Sequence, residues 1–357
     1  MLERPSSAVA PVSLAKIAAR VDARMAVLLD AEVERWAAFD PDLGPPLEYL
    51  RDFVLAGGKR LRPAFCHWGF VGAGGSADDP LVVDAGAALE LLHTFALIHD
   101  DVMDASGTRR GMDAVHVAFE RTHRQSGWAA EGRRFGEGVA ILVGDLAFVY
   151  ADLLIAGAPR EAIDVFGELR LEVNIGQYLD LLGTVRRDAT PESARRICEY
   201  KSGKYTIERP LHLGAALAGR LDDLAAPFSA YGLPLGEAFQ LRDDLLGAFG
   251  DAAVTGKPVG EDLREGKPTA LFALTRQRAK AAAARLLAER FGEPDLTAGE
   301  VEAIQQVMVD TGARDEVAER IEVLVHAALA ALEDAPISDE ARRELTELAA
   351  FVAARDY

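Results

Sequence analysis

The chain has 357 residues, and its 39 Lys and Arg against 57 Asp and Glu give a formal net charge of −18 at pH 7. Half of its residues are hydrophobic, which excludes disordered and collagen-like chains and provides enough apolar surface for a substantial core. The sequence pI of about 4.9 argues against nucleic acid or an anionic membrane surface as the main partner, because both would repel the average surface.

Apolar residues recur at three- and four-residue spacing from about residue 13 to residue 351, which is the period of α-helices. We expect almost no sheet and a single all-α domain over residues 1–357, since the chain shows neither a linker nor a repeat. Segments rich in Gly, Pro and polar residues divide it into ten or more helices; they are 41–46, 72–80, 106–111, 126–138, 183–191, 219–227 and 292–295.

The first 40 residues read as an N-terminal helical extension. They lack an uninterrupted apolar stretch, so we expect no secretory signal and a cytoplasmic protein. Cys66 and Cys198 lie in apolar helical segments without metal or redox spacing, which predicts two buried thiols.

The first concentration of positive charge is Gly57-Gly58-Lys59-Arg60-Leu61-Arg62-Pro63. Arg presents a planar fork to phosphate and Lys a point charge, so this segment suits a diphosphate bound without metal. The alternative is a solvated, cationic start of a helix.

The strongest local signal is His99-Asp100-Asp101-Val102-Met103-Asp104, at the end of an apolar helix. Asp100 and Asp104 project from one helix face, and burying both costs free energy unless a cation compensates. Oxygen ligands of this kind suit Mg²⁺ bridged to substrate phosphates, whereas the alternative is a solvated helix end. Arg109 and Arg110 follow closely and add local positive charge.

Residues 139–158 are apolar enough to resemble a membrane span. Asp145 and Asp152 interrupt the segment on one face, so we expect a buried helix with one polar stripe and no membrane span.

A second acidic pair, Asp243 and Asp244, ends another apolar helix, and Gly247 stands where the first cluster has Asp104. The two clusters could hold several Mg²⁺ ions, with a polyanion completing the coordination. Residues 250–269 follow without clear periodicity and are expected to form an active-site lid.

Taken together, these segments resemble the trans-type polyprenyl diphosphate synthases, which elongate allylic diphosphates with isopentenyl diphosphate. The resemblance implies an isoprenoid synthase type I bundle around a central apolar cavity, in a homodimer that uses three Mg²⁺ per site, for which Mn²⁺ can substitute. The matching segments, in order, are GGKRLRP (57–63), HTFALIHDDVMD (93–104), RRG (109–111), GQYLDL (176–181), YKSGKYT (200–206), FQLRDD (239–244), GKP (256–258) and REGKPT (264–269).

The resemblance also implies a role for each matching residue. The metal ligands would be Asp100, Asp104 and Asp243, with Asp101 and Asp244 as supporting acids. The allylic diphosphate would be bound by Arg109, Lys201, Gln177, Lys257 and Lys267. Isopentenyl diphosphate would be bound by Lys59, Arg62, His93 and Arg110. Lys201, Ser202 and Gln240 would act at the reacting end, where Ser202 replaces the commoner threonine and keeps its hydroxyl. Gly247 departs from the family pattern, which has a third aspartate there.

Product length should depend on how far the apolar cavity runs below the first aspartates. Phe95 lies five residues before Asp100 and would form a floor, while the small Ala96 leaves more room than two adjacent aromatic residues would. Leu92 and Phe119 could also shape the floor, although core packing is the simpler role for both. The pattern favours geranylgeranyl diphosphate (C20), with farnesyl diphosphate (C15) as the alternative.

Two other functions fit part of the sequence. A class I terpene cyclase shares the helical cavity and an aspartate-rich motif but has no need for the GGKRLRP segment. A regulatory subunit of a heteromeric prenyl synthase characteristically lacks one aspartate motif, whereas both persist here.

Overall fold

The computed structural model describes residues 10–186, 190–250 and 259–353, and these residues are almost entirely α-helical. The predicted all-α class is therefore confirmed. The helices divide into two compact units. The N-terminal unit comprises Val12–His67 and Gly75–Ile163; the C-terminal unit is built mainly from Trp68–Gly74 and the described part of Asp164–Tyr357.

The helices follow one another with short connections. They are α1 Val12–Phe39, α2 Gly44–Leu55, α3 Leu61–Gly72, α4 Pro80–Met103, α5 Val115–Ser126, α6 Gly132–Ile155, α7 Arg160–Arg186, α8 Pro191–Ile197, α9 Arg209–Leu217, α10 Leu221–Phe249, α11 Glu261–Glu265, α12 Ala270–Arg278, α13 Ala281–Arg290, α14 Ala298–Asp310, α15 Ala313–Glu333 and α16 Asp339–Ala353. A π-helical segment, Cys198–Glu208, joins α8 to α9.

In the N-terminal unit, α4 packs against α1 and α6, and α6 also packs against α5. The burial of α1 follows its sequence, since its buried residues recur every three or four positions from Leu14 to Leu29. Helix α4 begins with Pro80 after Asp79, whose side chain accepts a hydrogen bond from the backbone N–H of Leu81. This cap fixes the start of α4, and the first aspartates lie at the other end of the same helix.

In the C-terminal unit, α10 is the central helix and packs against the π-helical segment, α9, α15 and α16. It continues through Pro227 and Pro234, although residues 219–227 were predicted to be a break. A proline inside a helix removes one backbone hydrogen bond, and burial of side chains such as Phe228, Tyr231 and Leu235 outweighs that cost.

The predicted break at 106–111 is confirmed, and a small antiparallel hairpin, β1 Thr108–Arg109 with β2 Met112–Asp113, begins within it. The predicted break at 126–138 is shorter than expected, because α6 already begins at Gly132.

Two helices, α4 and α6, are long and apolar enough to cross a membrane by length and composition alone. Most of the apolar window in α4 is buried inside the protein, whereas more than half of that in α6 is not. The exposed face of α6 carries Ile141, Leu142, Val149 and Leu153 beside Asp145, so the expected single polar stripe is largely an apolar surface. Cys66 and Cys198 are both buried and unpaired with each other, as predicted.

Candidate active site

The first aspartate-rich motif lies on the last turn of α4 in the N-terminal unit. Asp104 ends the helix, and its backbone N–H donates to the carbonyl of Asp100 at 2.8 Å. Both residues are therefore on the same side of one helical turn.

Asp101 is the buried carboxylate of this motif, with only 1% of its surface exposed. Its Oδ1 accepts hydrogen bonds from Arg109 Nε at 2.9 Å and from Arg109 Nη2 at 2.5 Å. Burial raises the pKa of Asp101, and the bonded Arg109 partly offsets that rise. Asp101 thus holds Arg109 beside the motif, which fits its predicted supporting role.

The RRG sequence forms the turn of the β1–β2 hairpin. Arg110 and Gly111 occupy its two central positions with φ of 53° and 76°, the backbone that a tight two-residue hairpin turn requires. The turn sends the side chains of Arg109 and Arg110 to different partners, since Arg110 Nη1 donates to the carbonyl of Phe53 at 3.3 Å.

His93 lies among the cations that were predicted to bind isopentenyl diphosphate. Burial lowers its pKa well below the usual value, and the nearby Arg62, Arg110, Arg109 and Arg60 lower it further. The structure therefore brings Arg62, His93 and Arg110 together, and His93 is neutral there. A concentration of guanidinium groups around a neutral imidazole is suited to an anion.

Arg60 of the GGKRLRP segment has a structural role. It is 2% exposed and bonds Glu90 at 2.7 Å, Asp22 at 2.8 Å and the carbonyl of Val54 at 2.7 Å. Of the three cations in that segment, Arg60 therefore anchors the start of α3 and is neutralised within the fold.

Phe95 packs edge to face on Phe148 of α6, with ring centroids 5.0 Å apart, and on His99 at 4.6 Å. Phe148 was not singled out in the sequence, because nothing in its spacing relates it to the aspartates. Phe119 instead packs on Tyr49 at 5.7 Å, which is the core role considered for it above.

The second aspartate-rich motif lies near the end of α10 in the C-terminal unit. Asp244 is 5% exposed; its Oδ1 accepts from Gln240 Nε2 at 2.8 Å and its Oδ2 from the Ala270 N–H at 3.3 Å. Burial, with the negative charges of Asp262 and Asp243, raises the pKa of Asp244 to about 7, although the Gln240 bond lowers it. Like Asp101, Asp244 is the buried acid of its motif.

In the π-helical segment, Ser202 faces α10, the helix that carries Gln240 and Asp244. Ser202 Oγ donates a short hydrogen bond to Gln240 Oε1, so the amide that contacts Asp244 on one side contacts Ser202 on the other. Lys201 Nζ donates to Asp180 of α7 at 2.6 Å. Ser202, Gln240 and Asp244 thus form one hydrogen-bonded chain.

Glycines allow the π-helical segment to approach its neighbours closely. A Cβ at Gly236 of α10 would overlap the backbone of Gly203, and one at Gly176 of α7 would lie 2.6 Å from the backbone nitrogen of Lys201. The segment that carries Lys201 and Ser202 is therefore packed by backbone contact on two sides.

Glu172 of α7 binds the far end of this segment. Its carboxylate accepts from Lys204 at 2.7 Å and from Arg209 at 2.6 and 2.7 Å. Neither Glu172 nor Asp180 was predicted to have a role; Asp180 belongs to the GQYLDL motif, whereas no sequence signal marked Glu172.

Only part of the predicted lid is described. Lys257 lies outside the described residues. Lys267 follows α11, with its Nζ 2.6 Å from Glu265 and 3.3 Å from Asp262. Among the described residues, no group of three or more His, Cys, Asp or Glu is placed to hold a metal ion on protein ligands alone.

The donor set nevertheless fits Mg²⁺, which commonly binds one or two carboxylates together with water and substrate phosphates. Asp101 Oδ2 is buried and has no hydrogen-bond partner, and the charges near Asp244 already oppose its ionisation. A cation at either motif would relieve these costs.

The sequence pattern of the family described as polyprenyl synthetase matches residues 45–308. The chain belongs to the polyprenyl synthetase family. It is therefore a trans-prenyltransferase, and its all-α fold is that of the isoprenyl synthases.

Similar proteins are named for products of different length. The geranylgeranyl diphosphate synthase of Mycobacterium tuberculosis is 35% identical over 285 residues, covering 78% of this chain and 75% of the relative. The geranylfarnesyl diphosphate synthase of Aeropyrum pernix is 31% identical over 333 residues, covering 90% and 97%.

A solved structure matches over nearly the whole chain. The geranylgeranyl pyrophosphate synthase of Corynebacterium glutamicum, complexed with isoprenyl diphosphate and magnesium, has a TM-score of 0.90 at 40% identity, covering 95% of this chain and 99% of that one.

Proposed function

We propose that this prenyl diphosphate synthase condenses isopentenyl diphosphate with allylic diphosphates in a Mg²⁺-dependent reaction to give geranylgeranyl diphosphate (C20). The observation that carries the chain length is the contact of Phe95, which lies about one and a half turns before Asp100 on α4, with Phe148 of α6. Farnesyl diphosphate (C15) is the alternative from the sequence, and the relative named for geranylfarnesyl diphosphate (C25) adds a longer one.

Asp100, Asp104 and Asp243 are the proposed ligands for three Mg²⁺, with Mn²⁺ able to substitute. Bound there, the metal supplies positive charge that stabilises the leaving diphosphate. Asp101 and Asp244 hold neighbouring groups in place through the bonds described above, because both are buried and already bonded.

The cationic side chains bind the two substrates by their diphosphates. Arg109 uses Nε and Nη2 for Asp101, so Nη1 can donate to the allylic diphosphate while Asp101 fixes the plane of the guanidinium. Lys201, Gln177, Lys257 and Lys267 are the other proposed contacts for that diphosphate. Lys59, Arg62, His93 and Arg110 are proposed for isopentenyl diphosphate, and the neutral His93 would serve it as a hydrogen-bonding group.

The reaction breaks the allylic C–O bond and forms a C–C bond. The electrons of the broken bond leave with the diphosphate; the double bond of isopentenyl diphosphate then attacks the allylic cation, and loss of a proton restores an alkene. Gln240 Oε1, held by Ser202, can stabilise positive charge without acting as a nucleophile, and the released diphosphate is the proposed base. Apolar walls exclude water, which would capture the cation.

We further propose a cytoplasmic homodimer. Each unit exposes apolar side chains that support it, on α6 in the N-terminal unit (Ile141, Leu142, Val149 and Leu153) and on α7 in the C-terminal unit (Leu171, Ile175 and Tyr178), because exposed apolar surface is typical of protein interfaces. Sedimentation equilibrium is expected to give the mass of two chains; a monomer at micromolar concentration would contradict this.

Product analysis tests the proposed reaction. Purified protein is incubated with Mg²⁺, isopentenyl diphosphate and each allylic starter, and the dephosphorylated products are separated with mass detection. A C20 prenyl alcohol that requires isopentenyl diphosphate is expected. A dominant C15 or C25 alcohol would correct the chain length, whereas a cyclic hydrocarbon formed from an allylic diphosphate alone would contradict the proposal.

A further inference from the structure

Glu172 of α7 pairs with two cationic side chains at the end of the π-helical segment, Lys204 within it and Arg209 directly after it. Its carboxylate accepts hydrogen bonds from both, and the residue is buried. Burial alone would raise the pKa of Glu172, but the bonds from Arg209 and Lys204 hold that pKa below its usual value. The carboxylate is therefore ionised, and both contacts are charge-assisted hydrogen bonds.

The spacing of the two partners is that of a π-helix. Lys204 and Arg209 are five residues apart, and the backbone N–H of Arg209 donates to the carbonyl of Lys204. This i→i+5 hydrogen bond is the π-helical one, and it places the two residues one turn apart. In an α-helix, with 3.6 residues per turn, residues five apart point about 140° away from each other. A single buried carboxylate that bonds both side chains therefore favours the π-helical register over the α-helical one.

We propose that Glu172 is a positioning residue that keeps this segment in its π-helical register. Lys201 and Ser202 lie in the same segment, where Ser202 bonds Gln240. A change of register would turn both side chains and break that bond. The inference rests on the proposed function, because that function places Lys201 and Ser202 at the reacting end.

The competing explanation is that Glu172 only ties α7 to the segment and adds to stability. A double-mutant cycle separates the two explanations. Glu172 and Ser202 have different hydrogen-bond partners, so the effects of their substitutions on stability should add unless the register links them. If Glu172→Ala changes the register, the bond of Ser202 to Gln240 is already lost, and Ser202→Ala then has little more to remove.

Urea unfolding of the full-length protein measures this cycle without any assay of activity. Ser202→Ala is expected to lower the urea midpoint of the wild type, and to lower that of Glu172→Ala by less than half as much. Glu168→Ala is the matched control, because Glu168 is exposed one turn earlier on α7 and also contributes negative charge at Arg209. In that background Ser202→Ala should keep its full effect. Additive losses with Glu172→Ala would overturn the inference.

Lys204→Met provides a second route if Glu172→Ala folds poorly. It breaks one of the two contacts and leaves no buried charge unpaired, since Glu172 keeps its bonds from Arg209. Ser202→Ala is again expected to have less than half of its wild-type effect. A full effect in the folded Lys204→Met background would count against the inference.

Steady-state kinetics supply a readout of positioning. Glu172→Ala is expected to lower kcat by about ten-fold or more, because small displacements of groups at the reacting end are costly. The KM for isopentenyl diphosphate should stay within about two-fold of wild type, since its proposed contacts lie in the N-terminal unit. A normal kcat in folded Glu172→Ala would overturn the inference alone if the wild type makes prenyl diphosphate; if the wild type makes none, the proposed function fails, and the unfolding cycle still tests the register.

Discussion

Asp100 and Asp104 illustrate how one helical turn can prepare a metal site. Their spacing places two carboxylates side by side, while the buried Asp101 between them turns toward Arg109. The three acids of this motif thus have two different environments. The sequence spacing predicts that Asp100 and Asp104 share one helix face, but it does not predict the contact of Asp101 with Arg109.

Asp100→Ala is expected to lower kcat by at least about 100-fold, because it removes a proposed ligand of the ion that stabilises the leaving diphosphate. Steady-state assays with isopentenyl diphosphate would measure it. Asp52→Ala, which changes an exposed carboxylate of the same unit, is the control and should leave kcat unchanged. A near-normal rate in Asp100→Ala would contradict the site assignment.

Phe95→Ala is expected to lengthen the product by at least one isoprene unit, since it removes one ring of the Phe95–Phe148 pair. Chromatography of the dephosphorylated products would show it. Phe119→Ala should leave the length unchanged, because Phe119 packs on Tyr49. An unchanged product in Phe95→Ala would mean that other residues determine chain length.

At the scale of elements, the contact of the π-helical segment with α10 shows how backbone packing positions side chains. Gly203 and Gly236 meet where Ser202 bonds Gln240. The YKSGKYT and FQLRDD motifs were recognisable in the sequence, but their contact was not, because π-helical geometry depends on tertiary packing rather than on local residue preferences.

Gly236→Ala is expected to destabilise the protein by about 1–3 kcal/mol, because the added methyl would overlap the backbone of Gly203. Its kcat should fall as well, since Ser202 and Gln240 would move apart. Urea unfolding measures the first effect and the standard assay the second. Gly167→Ala on α7 meets no atom within 4 Å and should be neutral or stabilising by up to about 1 kcal/mol. Equal stability of the two variants would contradict the packing argument.

For the whole molecule, composition and periodicity were enough to predict the all-α class, and the joint motifs were enough to predict the family. The apolar exposed face of α6 was not predicted. That failure has a physical cause: Asp145 and Asp152 indicate a polar face, but Ile141, Leu142, Val149 and Leu153 share the exposed side, and periodicity cannot tell a core face from an interface.

Acid should destabilise the fold through its buried histidines. Burial, and then the charge of Arg20, lower the pKa of His67 to about 4, although Asp78 raises it; the pKa values of His93 and His212 are lowered too. Below the usual value near 6.5 the unfolded chain binds protons that the folded chain does not, so stability falls as pH falls from about 6.5 toward 4.

His67→Gln isolates one of these contributions. Asp244, whose raised pKa of about 7 makes stability fall as pH rises from about 4 to 7, is present in both proteins and cancels in the comparison. Between pH 7 and pH 4, wild type should lose up to about 3 kcal/mol more than His67→Gln. Urea unfolding at the two pH values would measure it, and parallel losses would show that His67 titrates normally in the fold.

Because of the π-helical segment, the position of the side chains at the reacting end depends on the number of residues in that segment as well as on which residues they are. Removing one residue between Cys198 and Lys201 would favour the α-helical repeat and turn Lys201 and Ser202 by roughly 100° relative to α8. A single-codon deletion there should therefore be far more damaging than most substitutions at the same positions. Libraries built by substitution alone would not sample that change.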